Sequence, residues 1–249
     1  METRKHILVK MLTLLLYFII QGVISYEAAA AISPHGGSKE VSIPNGPGKP
    51  LSGTLYRADN SKFAIVFAHS YVPGQDKTGF RSLALELAEM GITSLTFDFP
   101  GIGKTEGPPV YDKVDMDVRS AIAYLHDLGY SNIASMGVGL GGLGSATNAR
   151  ELVGLITISI PTSAMGTLFV TDEDLSVSYP KLFIAAKEDF GNNRPFAQYA
   201  LSLYELSVEP KELKIFSGAY HSMALFDSEH KNELHDLIID FFGSLNEQY

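Results

Sequence analysis

The chain contains no cysteine. Disulfides and thiolate metal sites are therefore excluded, as is the lipid-modified cysteine of a bacterial lipoprotein. Basic residues are scarce: 19 Lys and Arg stand against 28 Asp and Glu, a formal net charge of −9. No basic run is present, and phosphate backbones are bound by clustered Lys and Arg, so nucleic acid is not expected as a partner. A long apolar run is missing too. The longest, Met11–Ile24, has about 14 residues, short of the roughly 20 that span a bilayer.

That run nonetheless has a meaning. It follows Arg4, Lys5 and Lys10 and leads into Glu27-Ala28-Ala29-Ala30-Ala31. A charged start, a short apolar stretch and small residues spaced A-x-A predict a secretory signal peptide over residues 1–31, with an uncleaved N-terminal anchor as the alternative. The expected location is outside the cytoplasm, with membrane contact only if this segment is retained.

The remainder, residues 32–249, is predicted to be one domain. Strand-like runs occur at Glu40–Ile43, Leu51–Tyr56, Phe63–Ala68, Thr93–Phe97, Ile133–Met136, Val153–Ile158, Lys181–Ala186 and Leu213–Phe216. Most of the later ones are continuously apolar, the pattern of parallel strands covered on both faces. Between them lie helical stripes at i, i+3, i+4, i+7 spacing, such as Val114, Val118, Ala121, Ile122 and Leu125. Alternating strands and helices predict an α/β, doubly wound, mostly parallel sheet. Pro161–Tyr179 is too short to hold a substantial cap, so the site should be open.

One missing residue matters more than the others. Gly137-Val138-Gly139-Leu140-Gly141 follows a strand and opens a helix, the position at which G-x-S-x-G presents a nucleophilic serine on a sharp turn. The central position here is Gly139. Around it stand Phe67-Ala68-His69-Ser70-Tyr71, Asp98-Phe99-Pro100-Gly101-Ile102-Gly103-Lys104-Thr105-Glu106-Gly107, Ala185-Ala186-Lys187-Glu188-Asp189 and Ser217-Gly218-Ala219-Tyr220-His221-Ser222. In this order and spacing they resemble the α/β-hydrolase superfamily, in particular small esterases and dienelactone-hydrolase-like proteins.

The resemblance implies hydrolysis of carboxylic-ester or acyl bonds without a cofactor or metal. It assigns the nucleophile position to Gly139, the acid to Asp189 and the base to His221. It places the oxyanion hole at the amides of Ser70 or Tyr71 together with that of Leu140, where Ser70 stands in place of a usual glycine. His69 is expected to shape that loop, and His126, His230 and His235 to sit on solvated faces. The expected protein is a catalytically impaired hydrolase that binds a small acyl or apolar ligand, and in which Gly139→Ser restores turnover. Two alternatives stay open. In one, His221 activates water or Ser70 attacks, although neither Ser70 nor Ser222 is expected on a strained turn. In the other, Gly137, Gly139 and Gly142 form a dinucleotide-binding G-x-G-x-x-G. Against that alternative, Ser159-Ile160-Pro161 ends the next strand without an acid for a ribose.

Overall fold

The structure is a computed structural model that describes residues 37–249 apart from positions 60, 73, 192 and 193. The signal-peptide expectation falls outside the described residues. Among those described, no helix is long and apolar enough to cross a membrane.

Eight strands form one sheet: β1 (Ser38–Ile43), β2 (Leu51–Tyr56), β3 (Phe63–Ala68), β4 (Thr93–Phe97), β5 (Asn132–Val138), β6 (Gly154–Ile158), β9 (Lys181–Ala186) and β12 (Lys211–Phe216). Their spatial order is β1-β2-β4-β3-β5-β6-β9-β12. The β1–β2 and β2–β4 pairs are antiparallel, and every later pairing is parallel. The expected mostly parallel sheet is thus observed. Every residue of β3, β4, β6 and β9 is buried, which explains why these strands read as apolar or small-residue runs, with Lys181 at the start of β9 the exception. The two edges differ. β1 and β12 carry Lys39, Glu40, Lys211, Glu212 and Lys214, charges that discourage pairing with another chain.

Among the described residues, six α-helices flank the sheet: α1 (Arg81–Glu89), α2 (Val114–Asp127), α3 (Leu140–Ala146), α4 (Asp172–Leu175), α5 (Phe196–Leu206) and α6 (Lys231–Asn246). The core lies in two layers. Leu83 and Leu87 of α1 and Leu234, Ile238 and Phe242 of α6 pack on one face. Val118 and Leu125 of α2, Leu143 of α3 and Leu203 of α5 pack on the other. The stretch expected to form only a minimal cap holds a two-strand hairpin, β7 (Ser163–Ala164) with β8 (Leu168–Phe169), and the single turn α4. A second small hairpin, β10 (Phe190–Gly191) with β11 (Arg194–Pro195), had no signal in the periodicity, because two-residue strands are too short to show one.

The strand order fixes where a ligand can sit. From β3 the chain turns through α1 on one face to reach β4, whereas from β5 it turns through α3 on the opposite face to reach β6. Loops leaving adjacent parallel strands toward opposite faces open a crevice at their carboxyl ends. The residues at this crevice are Ser70 and Tyr71 on one side, Gly139 and Leu140 on the other.

Candidate active site

The turn after β5 keeps the conformation that a nucleophile elbow demands. Gly139 has φ 55° and ψ −128°, a left-handed geometry costing roughly 1–3 kcal/mol for a residue with a side chain and almost nothing for glycine. Its neighbours are glycines for a different reason, which is close approach. A Cβ on Gly137 would lie 2.4 Å from the Gly142 Cα, and one on Gly141 would lie 2.3 Å from the His69 carbonyl oxygen. The spacing that suggested a dinucleotide motif is thus explained by a helix packed tightly on its own strand and on the β3 loop.

Beyond β9 and β12 two loops are tied together. Glu188 N donates to the Gly218 carbonyl at 2.9 Å, and Gly218 N donates to Glu188 Oε2 at 2.6 Å. This reciprocal pair brings Asp189 beside His221. The His221 Nδ1 lies 2.9 Å from Asp189 Oδ2 and 3.1 Å from Oδ1. Asp189 is buried, while the imidazole is 38% exposed. A buried carboxylate bonded to Nδ1 fixes the tautomer that leaves Nε2 as the proton acceptor. Phe196 packs on the ring with centroids 4.7 Å apart, and its amide donates to the Asp189 carbonyl at 2.8 Å. Phe196 also belongs to the apolar face of α5, which packs on the core. No sequence signal distinguishes a core aromatic from one that braces a histidine across 25 residues.

On the other wall His69 is fully buried. Burial lowers its pKa, with the Ser70 carbonyl and Asp98 acting in the opposite sense. Its Nδ1 lies 2.8 Å from the Ser70 carbonyl and its Nε2 3.4 Å from Phe99 N. These partners require a neutral ring that donates from Nδ1 and accepts at Nε2. Tyr71 stacks between Phe99 and Tyr111, with centroids 5.0 and 4.7 Å away. Asp98 anchors the far end of the same loop by accepting from Lys77 N at 2.8 Å. The buried Lys77 ammonium bonds Glu40 at 2.9 Å and Ser52 Oγ at 2.7 Å.

Ser70 does not merely line this wall. A Cβ placed on Gly139 would stand 2.3 Å from Ser70 Oγ and 2.9 Å from Ser70 Cβ. The space of an elbow side chain is already filled by the serine of the facing loop. Gly139→Ser alone therefore requires Ser70 to move, because the two side chains cannot coexist without displacement. The expectation for Ser222 is corrected: its φ of 57° is strained, and its Oγ lies 3.7 Å from the same Cβ position. Ser159, at the end of β6, has φ 51° and a buried hydroxyl without a partner among the described residues. Ser145 points away into the core, bonded to Ser135 Oγ and the Gly141 carbonyl. Of the remaining histidines, His235 pairs with Glu86 at 2.7 Å on the surface. His126 caps the Tyr130 carbonyl. His230 precedes α6 and is only 18% exposed, stacked on Phe216, so it does not lie on a solvated face.

These walls enclose an open cleft of about 500 Å³, lined by Tyr71, Leu140, Phe190 and Phe196 as well as by Ser70, Gly139, Ser159, Asp189 and His221. Such a volume suits a small ligand. A second hollow of about 280 Å³ lies between Pro47, Pro100, Pro108 and Met116, and no histidine or serine lines it. Among the described residues no cluster of His, Asp and Glu could hold a metal.

The sequence matches no protein-family model and no curated protein. Solved structures are similar. An esterase of Pyrococcus furiosus aligns at 17% identity over 83% of this chain and 90% of that one, with a TM-score of 0.68. An alpha-beta serine hydrolase homologue from Coxiella burnetii aligns at 21% identity over 81% and 96%, with a TM-score of 0.62. An α/β serine hydrolase without a lid, from Xanthomonas campestris, aligns at 18% identity over 84% and 94%, with a TM-score of 0.63. With the sheet order and the elbow geometry, these likenesses identify the fold as that of the α/β-hydrolases.

Proposed function

We propose that the protein hydrolyses small carboxylic esters or related acyl bonds, at a rate impaired by the absence of a hydroxyl at Gly139. The observation that carries this reading is the His221–Asp189 pair, with its carboxylate buried and its imidazole opening on the cleft. His221 is the general base. Asp189 holds its ring and stabilises the imidazolium that forms. The amide of Leu140, in the first turn of α3 and so without an intrahelical acceptor, joins that of Ser70 or Tyr71 in facing the acyl oxygen. Tyr71, Leu140, Phe190 and Phe196 receive the acyl chain. Such a site without an elbow nucleophile supports about 10³–10⁴-fold acceleration over water.

Turnover of p-nitrophenyl acetate, abolished in His221→Ala and in Asp189→Asn, is the expected result. Absence of both turnover and saturable binding of short acyl esters ends the reading. A second reading, ligand capture without chemistry, is favoured by Gly139 itself, and saturable binding without turnover would establish it. The proposal includes export of residues 32–249, tested by sequencing the N-terminus of the protein recovered outside the cytoplasm.

A further inference from the structure

The hydroxyl missing from the elbow has a counterpart nearby. Resemblance places glycine after His69 and serine at the elbow, and this chain has the two residue types exchanged. Ser70 Oγ projects into the volume that an elbow side chain would take, 2.3 Å from the Gly139 Cβ position. Serine at 70 does not fit without glycine at 139, because a side chain at 139 meets Ser70, and Ser70 has room only because residue 139 has none. Both residues line the cleft onto which His221 opens.

We propose that Ser70 is the nucleophile, delivered from the β3 loop to the place an elbow serine would occupy. This rests on the hydrolase reading above and names the attacking group within it. Ser70 Oγ bonds to the acyl carbon as its proton passes to His221 Nε2. The bond to the alkoxy oxygen then breaks, and the departing alcohol takes that proton. Water next gives a proton to His221 and its oxygen to the acyl carbon. The Ser70 ester breaks, the serine recovers its proton from His221, and the net reaction is ester plus water to acid plus alcohol. Because Ser70 supplies the hydroxyl, the oxyanion falls to the amides of Tyr71 and Leu140. Ser70 Oγ and His221 Nε2 share no hydrogen bond in this structure. Catalytic hydrogen bonds of this kind are often long until substrate tightens them.

The test uses the full chain and a fluorophosphonate ester, with the adduct located by peptide mass spectrometry. The expected adduct is on Ser70, lost in Ser70→Ala and formed at least about tenfold more slowly in His221→Ala, as for a nucleophile deprived of its base. Since the chain has no cysteine, Ser70→Cys introduces a single thiol and guards against an Ala variant that fails to fold. Its alkylation by iodoacetamide should titrate below the ordinary thiol pKa of about 8.5 and return toward it in His221→Ala. A purely structural serine would show neither effect. An adduct on another residue, or a thiol that titrates normally, overturns the assignment. If Ser70→Ala keeps the turnover that His221→Ala loses, water is the nucleophile: the assignment falls and the hydrolase reading stands. If the unmodified protein shows no turnover, no binding and no adduct, both fall.

Discussion

The two walls of the cleft have fared differently. On one, Asp189 and His221 are held by loops laced through Glu188 and Gly218 and braced by Phe196, and the acid–base pair has ordinary geometry. On the other, the elbow backbone keeps its left-handed turn without a side chain to present, and a serine of the facing loop fills the gap. An acid–base pair depends on two side chains meeting, so it is either present or absent. A nucleophile depends on where a hydroxyl stands, and more than one strand end can place it there.

The contrast can be broken most severely on the intact wall. With Ser70 as the nucleophile, Asp189→Asn should lower turnover of p-nitrophenyl acetate by about 10³–10⁴-fold, because the wrong imidazole tautomer is then favoured. Steady-state kinetics check this, and an unchanged rate would sever the pair from the chemistry. Next comes the rearranged wall. Gly139→Ser should destabilise the fold by about 2–4 kcal/mol, from backbone strain added to the clash with Ser70, without raising turnover. The double substitution Ser70→Gly with Gly139→Ser should recover most of the clash and leave the strain. Urea unfolding of the four proteins measures the coupling as a double-mutant cycle, and additive effects would show that the two residues do not compete for space. Phe196→Ala should cost about tenfold in kcat, since a loosened His221 loses orientation, and should also raise KM, since the acyl chain loses part of its wall.

The smallest expected effect lies away from both walls and serves as a control. Asp117 is buried on α2 and accepts from Asn45 at 2.7 Å, and its second carboxylate oxygen has no partner among the described residues. Burial, with a lesser contribution from Asp115, raises its pKa to about 6. A carboxyl whose folded pKa exceeds its unfolded value binds its proton more tightly in the folded state. Its contribution is therefore fully present below about pH 4 and is lost as pH rises to about 6. Asp117→Asn should then raise the Tm at pH 7.5 by a few degrees and leave it nearly unchanged at pH 4, with no effect on turnover. Scanning calorimetry at the two pH values decides it.

Much of this molecule was legible in the sequence because the relevant physics is local. Continuous apolar runs gave the buried parallel strands, 3.6-residue stripes gave the long helices, and the position of Gly139 between a strand and a helix gave the elbow. What stayed hidden was set by encounters distant in the chain. Ser70 and Gly139 are 69 residues apart, and only folding shows that one fills the space of the other. Phe196 carries the same helical signal whether it faces the core or an imidazole. The strained turns at Ser159 and Ser222 have no signature, since serine is not a residue chosen for positive φ.

The collision between positions 70 and 139 also bears on history. Suppose the lineage began with glycine in the β3 loop and serine at the elbow and changed one residue at a time. A hydroxyl entering the loop first would have struck the resident one, making that intermediate the least stable of the possible four. The open route runs through a protein with glycine at both places, one that could hold an ester but had no side chain with which to attack it.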